Sequence, residues 1–124
     1  MIFGGSNDIV QNIPITKIIE NLKEMSVFLT SYNINHFVMT LPANECDLIY
    51  EDWVKKREEI NNLIRKTWSE QKPAFLFDLD KKIKYLECSE EMRKDYWDDI
   101  IHFSVKGYDL LADKIFDRIK NLLI

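Results

Sequence analysis

Apolar residues recur at helical spacing in three long segments of the chain. Between positions 15 and 29 they follow an i, i+3, i+4, i+7 pattern, which predicts an amphipathic helix with Pro14 in its first turn. A second helix is predicted from about Tyr50 to Trp68, and a third from about Val105 to Leu123 with Ser104 as its N-cap. The inner face of the first helix is predicted to contain Ile15, Ile18, Ile19, Leu22, Met25, Phe28 and Leu29.

Short apolar runs lie between these helices and predict buried strands. Ile2-Phe3 precedes two glycines, Phe37–Leu41 ends at Pro42, and Ala74–Phe77 stops at an acidic pair. Residues 84–97 are polar and irregular in pattern, with at most a short helix predicted among them.

The order strand, helix, strand, helix, strand, loop, helix predicts an α/β fold in one domain, residues 1–124. Continuous apolar strands that alternate with helices are typical of a parallel sheet covered on both faces. In such sheets functional groups gather in the loops after the carboxyl ends of the strands. These loops begin here at Gly4, near Pro42 and at Asp78.

Composition and charge narrow the classes of function. The chain is 46% hydrophobic and 12% aromatic, enough for a packed core, and its formal charge of -4 argues against a nucleic-acid partner. The mixed charge run 55–59 is interpreted as the solvated face of a helix. Cys46 and Cys88 are isolated, which indicates neither a disulfide nor a zinc site. No metal or organic cofactor is implied.

No apolar stretch reaches the roughly 18–20 residues that a membrane helix requires, so no membrane span is expected. The N-terminus lacks the basic and then apolar pattern of a secretory signal. Because the first residues resemble the interior of a domain, this leaves the localisation open, with the cytoplasm as the first expectation. His36 is interpreted as a surface or internally satisfied histidine, and Trp53, Trp68 and Trp97 as packing residues.

The first motif with chemical content is Gly4-Gly5-Ser6-Asn7-Asp8, between a predicted strand and the helical region. Glycines let the backbone turn sharply and approach a ligand closely. The amide of Asn7 can then donate to an oxygen that becomes negative during a reaction. The alternative is a glycine-rich turn in which Asn7 and Asp8 bind their own backbone.

The second motif is Asp99-Ile100-Ile101-His102, just before the last helix. In a bent loop this spacing lets the carboxylate accept a hydrogen bond from one imidazole nitrogen, which leaves the other nitrogen to act as a base. The alternative is an exposed aspartate and a histidine at a helix start, without a shared role.

Together, in this order and at one edge of the predicted sheet, the two motifs resemble those of the SGNH (GDSL-type) esterases and lipases. Gly5-Ser6-Asn7-Asp8 looks like the GxND block of that family, and Asp99–His102 looks like its DxxH block. The run HFSVKGYDLLA, which begins at His102, also resembles the H-x-S/T-x-x-G-Y sequence pattern of that family. Further similarities lie at Arg57 and Asn61, which look like an R-x-x-x-N pattern, and at Phe77-Asp78-Leu79.

The resemblance implies a three-layer α/β/α flavodoxin-like fold with a parallel sheet that is incomplete at the N-terminus. It implies that Asn7 is an oxyanion donor, His102 the general base and Asp99 the group that orients His102. Gly5 would serve the geometry of the Asn7 loop. Asp98 stands beside Asp99, but only Asp99 has the DxxH spacing.

The nucleophile of the family is absent from this chain. SGNH enzymes take their serine from a G-D-S block after the first strand, and no serine here has that setting. Ser6 and Ser104 are the serines nearest to the two motifs, and neither is a convincing substitute. The remaining serines are Ser26, Ser31, Ser69 and Ser89.

Loss of the first strands would leave Ile2-Phe3 at an open sheet edge, which invites strand addition by another chain. We therefore expect a partner there, either the N-terminal half of the domain or another chain, and a small acyl ester as substrate.

Three functions remain open at this point. The first is the C-terminal portion of an SGNH-type esterase, and the second is an inactive remnant kept as a binding module. The third is a small flavodoxin-like module without any link to hydrolysis. The esterase interpretation requires Asn7 and His102 to converge on one cleft with Asp99 within hydrogen-bond reach of His102.

Overall fold

The structure is a computed structural model that describes residues 1–68 and 72–122. Two short strands and several helices make up this part of the chain. The strands are β1 (His36–Met39) and β2 (Ala74–Phe77). The helices are α1 (Ser6–Val10), α2 (Ile15–Ser31), α3 (Cys46–Ile49), α4 (Glu51–Thr67), α5 (Leu79–Lys82), α6 (Glu90–Tyr96) and α7 (Val105–Ile119), with a 3-10 turn at Tyr85–Glu87.

The sheet is parallel, as the alternating pattern predicts. β1 pairs with β2 in a register that sets His36 opposite Ala74 and Met39 opposite Phe77. On the other side of β1, Ile2 forms a parallel bridge with Val38. The α/β class with a parallel sheet is therefore confirmed, although Ile2-Phe3 contributes a single bridge rather than a strand.

Two apolar cores lie on the two faces of the sheet. One contains Val38 of β1 with residues of α2 and α4, among them Ile18 and Ile60. The other contains Met39 and Phe77 with Leu111 of α7 and the aromatic residues that precede that helix. Neighbouring strand residues point to opposite faces, so Val38 and Met39 belong to different cores. The helices therefore cover the sheet from both sides.

β1 ends two residues before its predicted limit, and at Leu41 side chains bind the backbone in place of a neighbouring strand. The Asn61 side chain accepts from the Leu41 N–H at 2.7 Å and donates to the Leu41 carbonyl at 2.8 Å. Arg57 donates to the same carbonyl at 3.2 Å. Arg57 is only 4% exposed, so the prediction that residues 55–59 are all solvated is wrong for this side chain.

Helix boundaries follow local signals. Asn33 adopts a φ of 56° just after α2, which fits its predicted place beyond that helix. Ser104 accepts from the Gly107 N–H and caps α7, as predicted. The segment 84–97 is more helical than predicted, because Ser89 caps α6 by accepting from the Met92 N–H. α7 ends at Ile119, and the predicted limit Leu123 lies outside the described residues.

The predicted inner face of α2 is too wide. Ile18, Ile19 and Leu22 are buried, but Met25 and Phe28 are 46% and 60% exposed. The described elements cover only one side of the apolar stripe of α2, so these two side chains face solvent. None of the helices in the described ranges, 1–68 and 72–122, has the length and apolarity needed to cross a membrane.

Candidate functional site

A cleft of about 560 Å³ opens at the carboxyl end of the parallel sheet. Three segments that are far apart in sequence meet around it. They contribute Gly5, Ser6 and Asn7 from the first loop, Pro42 and Asn44 from the loop after β1, and His102 and Tyr108 from the C-terminal part. The structure thus brings Asn7 and His102, both predicted from motifs, to one cleft.

Gly5 sets the direction of the first loop. Its φ is 121°, a conformation that side-chain-bearing residues rarely adopt. α1 begins directly after it, so Asn7 stands in the first turn of a short helix. The side chain of Asn7 is exposed and forms no hydrogen bond with any residue in the described part of the chain. Its amide is therefore available to a molecule in the cleft, and the alternative in which it binds its own backbone is not observed.

Asp99 and His102 form one compact turn. Oδ1 of Asp99 accepts from the backbone N–H of Ile101 at 2.8 Å and from that of His102 at 2.7 Å. Oδ2 of Asp99 lies 2.7 Å from Nδ1 of His102. Because a carboxylate only accepts, Nδ1 carries the proton and the lone pair of a neutral ring stands on Nε2. The His102 side chain is 68% exposed, and its Nε2 has no hydrogen-bond partner among the described residues.

Hydrogen bonds to its carboxylate keep Asp99 ionised. The backbone N–H groups of His102 and Ile101, followed by the imidazole, lower the pKa of Asp99 to about 2. The side chain of the neighbouring Asp98 forms no hydrogen bond to the ring, and its backbone N–H donates to the His102 carbonyl at 3.0 Å. Of the two adjacent aspartates, Asp99 is thus the one that contacts the ring.

A close contact between α6 and α7 supports this turn. Trp97 forms an antiparallel bridge with Phe103, and the Ser104 N–H donates to the Tyr96 carbonyl at 2.9 Å. A Cβ on Gly107 would stand 2.1 Å from the Tyr96 carbonyl oxygen and 2.9 Å from Cβ of Phe103. Only glycine fits there, which is the physical reason for the glycine in the run that follows His102.

The loop after β1 supplies a cleft residue that the motifs do not reveal. Asn44 is 4% exposed and lines the cleft. Its Oδ1 accepts from the Cys46 N–H at 2.9 Å, and its amide nitrogen forms no hydrogen bond with the described residues. Its own N–H donates to Asp47 at 3.1 Å. In the sequence, the position of Asn44 after a predicted strand of a parallel sheet is the signal that points to it. Every residue of the loop shares that position, so the signal does not single out Asn44.

Beneath that loop lies a network of charged side chains. Arg57 donates to Asp47 at 2.7 Å and to Asp80 at 2.8 Å, and Arg65 bridges Asp80 and Asp78. Burial opposes the ionisation of Asp78, but hydrogen bonds from Arg65 and Thr40 and the charge of Arg65 outweigh it, so the pKa of Asp78 lies below its usual value. The network ties α4 to the ends of both strands and so holds the cleft loops.

None of the described serine hydroxyls is within hydrogen-bond distance of His102. Ser6 lines the cleft but makes no such contact, and Ser104 is occupied as the cap of α7 and as a donor to the Asp95 carbonyl. Ser31 and Ser89 bind backbone groups of their own helices. Ser69 lies outside the described residues.

A second serine–histidine pair is buried away from the cleft. Oγ of Ser26 lies 2.7 Å from Nε2 of His36, and Nδ1 of His36 lies 2.9 Å from the Ile34 carbonyl. Trp68 donates to Ser26 at 3.1 Å. His36 is 3% exposed. Every polar group of this cluster has a partner inside the protein, so His36 is an internally satisfied histidine.

The two thiols are poor nucleophiles. Burial, and then the charge of Asp47, raises the pKa of Cys46, and burial also raises the pKa of Cys88. Both cysteines are free. In residues 1–68 and 72–122, no three histidine, cysteine or acidic side chains are grouped so as to hold a metal ion.

Comparison with solved structures shows a similar fold in a protein of Streptococcus pneumonia that is named as a candidate platelet activating factor. The TM-score is 0.70 at 19% sequence identity, over 93% of this chain and 56% of that chain. This likeness supports the α/β fold. The chain spans little more than half the length of that neighbour. No protein-family model and no curated protein matches the sequence.

Proposed function

We propose that this chain is the C-terminal portion of an SGNH-type serine esterase that hydrolyses small acyl esters. The observation that carries the proposal is the convergence of Asn7 and the Asp99–His102 pair on one cleft at the carboxyl end of a parallel sheet. A base, a group that orients it and an oxyanion donor are the parts that ester hydrolysis needs besides a nucleophile.

In this proposal the nucleophilic serine comes from a segment that completes the domain. Nε2 of His102 takes the proton of the serine hydroxyl while the oxygen attacks the ester carbonyl. Asp99 holds the ring in the tautomer that makes this possible and stabilises the imidazolium. Asn7 donates to the oxyanion of the tetrahedral intermediate. The imidazolium then protonates the leaving alcohol, and water attacks the acyl-serine in the same way to release the acid.

A second candidate function is a binding module that keeps the cleft without turnover. It is favoured by the absence of any serine hydroxyl within hydrogen-bond distance of His102 among the described residues. The same cleft would then hold an ester or its carboxylate product, with Asn7 as a donor.

The test is the hydrolysis of p-nitrophenyl acetate by the 124-residue chain alone, without a segment that supplies a serine. We expect a slow reaction without an initial burst, because an oxyanion donor and a base retain some rate when the nucleophile is missing. His102→Ala should reduce the rate to that of buffer. Asn7→Ala leaves the imidazole in place and should still lower the rate several-fold.

Asn7→Ala is the decisive variant, because any exposed imidazole attacks this ester to some extent. An unchanged rate in Asn7→Ala would contradict the proposal. A complete absence of hydrolysis, together with acetate binding that Asn7→Ala weakens, would favour the binding module. Stoichiometric labelling of the chain by a fluorophosphonate probe, abolished in His102→Ala, would contradict the assignment of the nucleophile to another segment.

A further inference from the structure

One nearly buried asparagine of the cleft has an amide nitrogen without a partner. Asn44 is 4% exposed and lines the cleft together with Asn7 and His102. Its Oδ1 accepts from the Cys46 N–H at 2.9 Å, and this contact fixes which amide atom is the nitrogen, because a backbone N–H requires an acceptor. Nδ2 forms no hydrogen bond with any residue in the described part of the chain. Both of its hydrogens are therefore available to a ligand.

This nitrogen is open to solvent although the residue is almost completely buried. Among residues 1–68 and 72–122, the only fully buried side-chain nitrogen or oxygen without a partner is Nε1 of Trp97. Nδ2 of Asn44 is unpaired and is not such an atom, so the small exposed part of the residue includes it. The open space that Asn44 lines is the cleft of about 560 Å³. A molecule in the cleft therefore meets the hydrogens of this amide.

Neighbouring groups hold the Asn44 amide in place. Its backbone N–H donates to Oδ1 of Asp47 at 3.1 Å, and the Asp47 side chain is 1% exposed and paired with Arg57. The N–H of Glu45 donates to the Ile100 carbonyl at 3.1 Å, which ties the loop to the turn that carries the predicted base. A donor that is fixed before binding loses little conformational freedom when a ligand accepts from it.

The charge of the cleft indicates which acceptor suits this donor. The cleft is lined by one acidic side chain, Asp8, and by the imidazole of His102, whereas no lysine or arginine among the described residues lines it. A carboxylate or phosphate group of a ligand would thus meet a like charge without a basic side chain to offset it. An uncharged oxygen, in a hydroxyl, ether or carbonyl group, is the acceptor that fits.

We propose that Asn44 is a specificity-determining residue that donates to an uncharged oxygen of the substrate other than the ester carbonyl. The inference rests on the proposed function, in which Asn7 serves the ester carbonyl, so the hydrogens of Asn44 require a second acceptor. The substrates selected in this way are neutral esters with a further oxygen in the acyl or the alcohol part. An ester with only methylene groups at this place would cover the amide and leave its donors unpaired, which weakens binding.

Two pairs of esters test this selection, because the members of each pair differ only by an ether oxygen in place of a methylene group. The pair of 2-methoxyethyl acetate and butyl acetate tests the alcohol part, and the pair of ethyl methoxyacetate and ethyl butanoate tests the acyl part. Each ester is titrated into the 124-residue chain and followed by proton–nitrogen NMR. We expect the methoxy member of at least one pair to bind about fivefold more tightly or better and to shift the side-chain amide signals of Asn44.

Asn44→Asp separates ligand binding from support of the loop. Its carboxylate can still accept from the Cys46 N–H but donates nothing, so circular dichroism should show retained folding while the preference for the methoxy ester is lost. Asn62→Asp, at an exposed position of α4 outside the cleft, adds the same charge and should keep the preference within about twofold. The comparison of the ester pairs on the unmodified chain does not depend on the folding of either variant.

Equal binding of both members in both pairs would overturn the inference, as would an unchanged preference in Asn44→Asp or an equal loss of preference in Asn62→Asp. Hydrolysis of p-nitrophenyl acetate is measured separately with Asn7→Ala. An oxygen preference that depends on Asn44, together with hydrolysis that does not depend on Asn7, leaves the selection standing as a property of binding and contradicts the proposed function. Hydrolysis that depends on Asn7, without an oxygen preference, does the reverse.

Discussion

The carboxylate of Asp99 binds both the backbone and the ring of His102. One oxygen accepts from the His102 N–H at 2.7 Å, and the other lies 2.7 Å from Nδ1 of the same residue. The turn and the tautomer of the ring are therefore set by a single side chain. Because the carboxylate keeps its charge down to about pH 2, this arrangement persists through the pH range in which histidines titrate.

Asp99→Asn separates the structural role of this carboxylate from its chemical role. The amide oxygen can still accept from the two backbone N–H groups, while the amide nitrogen would meet Nδ1 and favour the other tautomer. In the proposed function His102 is the base, so we expect hydrolysis of p-nitrophenyl acetate to fall at least tenfold, since a misdirected base loses most of its effect. Nitrogen NMR of the imidazole should show the change of tautomer.

Asp98→Asn is the matched control, because the Asp98 side chain makes no hydrogen bond to the ring. Rate and NMR spectrum should remain those of the unmodified chain. If Asp99→Asn behaved in the same way, Asp99 would have no orienting role.

Gly5→Ala should destabilise the chain by about 1–2 kcal/mol, because alanine is strained at a positive φ. An added Cβ would meet Ile18 and Leu41 only at 3.5 Å, an ordinary contact, so the cost lies in the backbone. Gly4→Ala is the control, since a Cβ there meets nothing within 4 Å, and its effect should stay within about 0.5 kcal/mol. Urea denaturation measures both, and equal effects would contradict the prediction.

Ser26→Ala should lower stability without changing hydrolysis. The substitution leaves the Trp68 N–H and the His36 Nε2 without their partner in a buried place, which costs about 1–3 kcal/mol. Ser31→Ala, at an exposed helix end, is the control and should cost less than about 0.5 kcal/mol. Loss of p-nitrophenyl acetate hydrolysis in Ser26→Ala at full folding would instead assign chemistry to the buried pair.

Arg65→Gln should reveal an acid-dependent part of the stability. The pKa of Asp78 is lower in the folded state than in the unfolded chain, so its contribution is complete above about pH 4 and declines as the pH falls through the folded-state value. We expect the variant to be about 1–3 kcal/mol less stable at pH 7. Urea denaturation should show that the difference in the free energy of unfolding between Arg65→Gln and the unmodified chain becomes smaller toward pH 3.

Lys81→Gln provides the comparison for this pair. Lys81 also lies 3.5 Å from Asp78, but its side chain is 70% exposed. The free energy of unfolding of Lys81→Gln should therefore be lower than that of the unmodified chain by at most about 0.5 kcal/mol at any pH. A gap between Arg65→Gln and the unmodified chain that is as large at pH 3 as at pH 7 would exclude Asp78 as its source.

Much of the fold is predictable from local patterns. The strand at residues 74–77 and the helices near 15–31 and 51–67 fall within one or two residues of their predicted limits, because hydrophobic period and capping are properties of neighbouring residues. The segment 84–97 is the main miss. Its helices are short and polar, so the cap at Ser89 is a better guide there than periodicity.

Burial is less predictable than the elements themselves. Arg57 lies in a run of charged residues and is nevertheless buried, because Asp47 and Asp80 approach it from other elements. Met25 belongs to an apolar stripe and is nevertheless exposed. In both cases the deciding contact, present or absent, involves residues far away in sequence.

The sequence by itself determined the three long helices, the strand at residues 74–77 and the closeness of Asp99 to His102, because each depends on residues within a few positions of one another. The alternation of these strands and helices also predicted the parallel α/β class. Only the tertiary structure decided that Asn7, Asn44 and His102 share a cleft and that Ser26 and His36 form a buried pair. These relationships arise where distant segments meet, and side-chain packing and hydrogen bonding across the sheet, rather than local periodicity, select which segments do so.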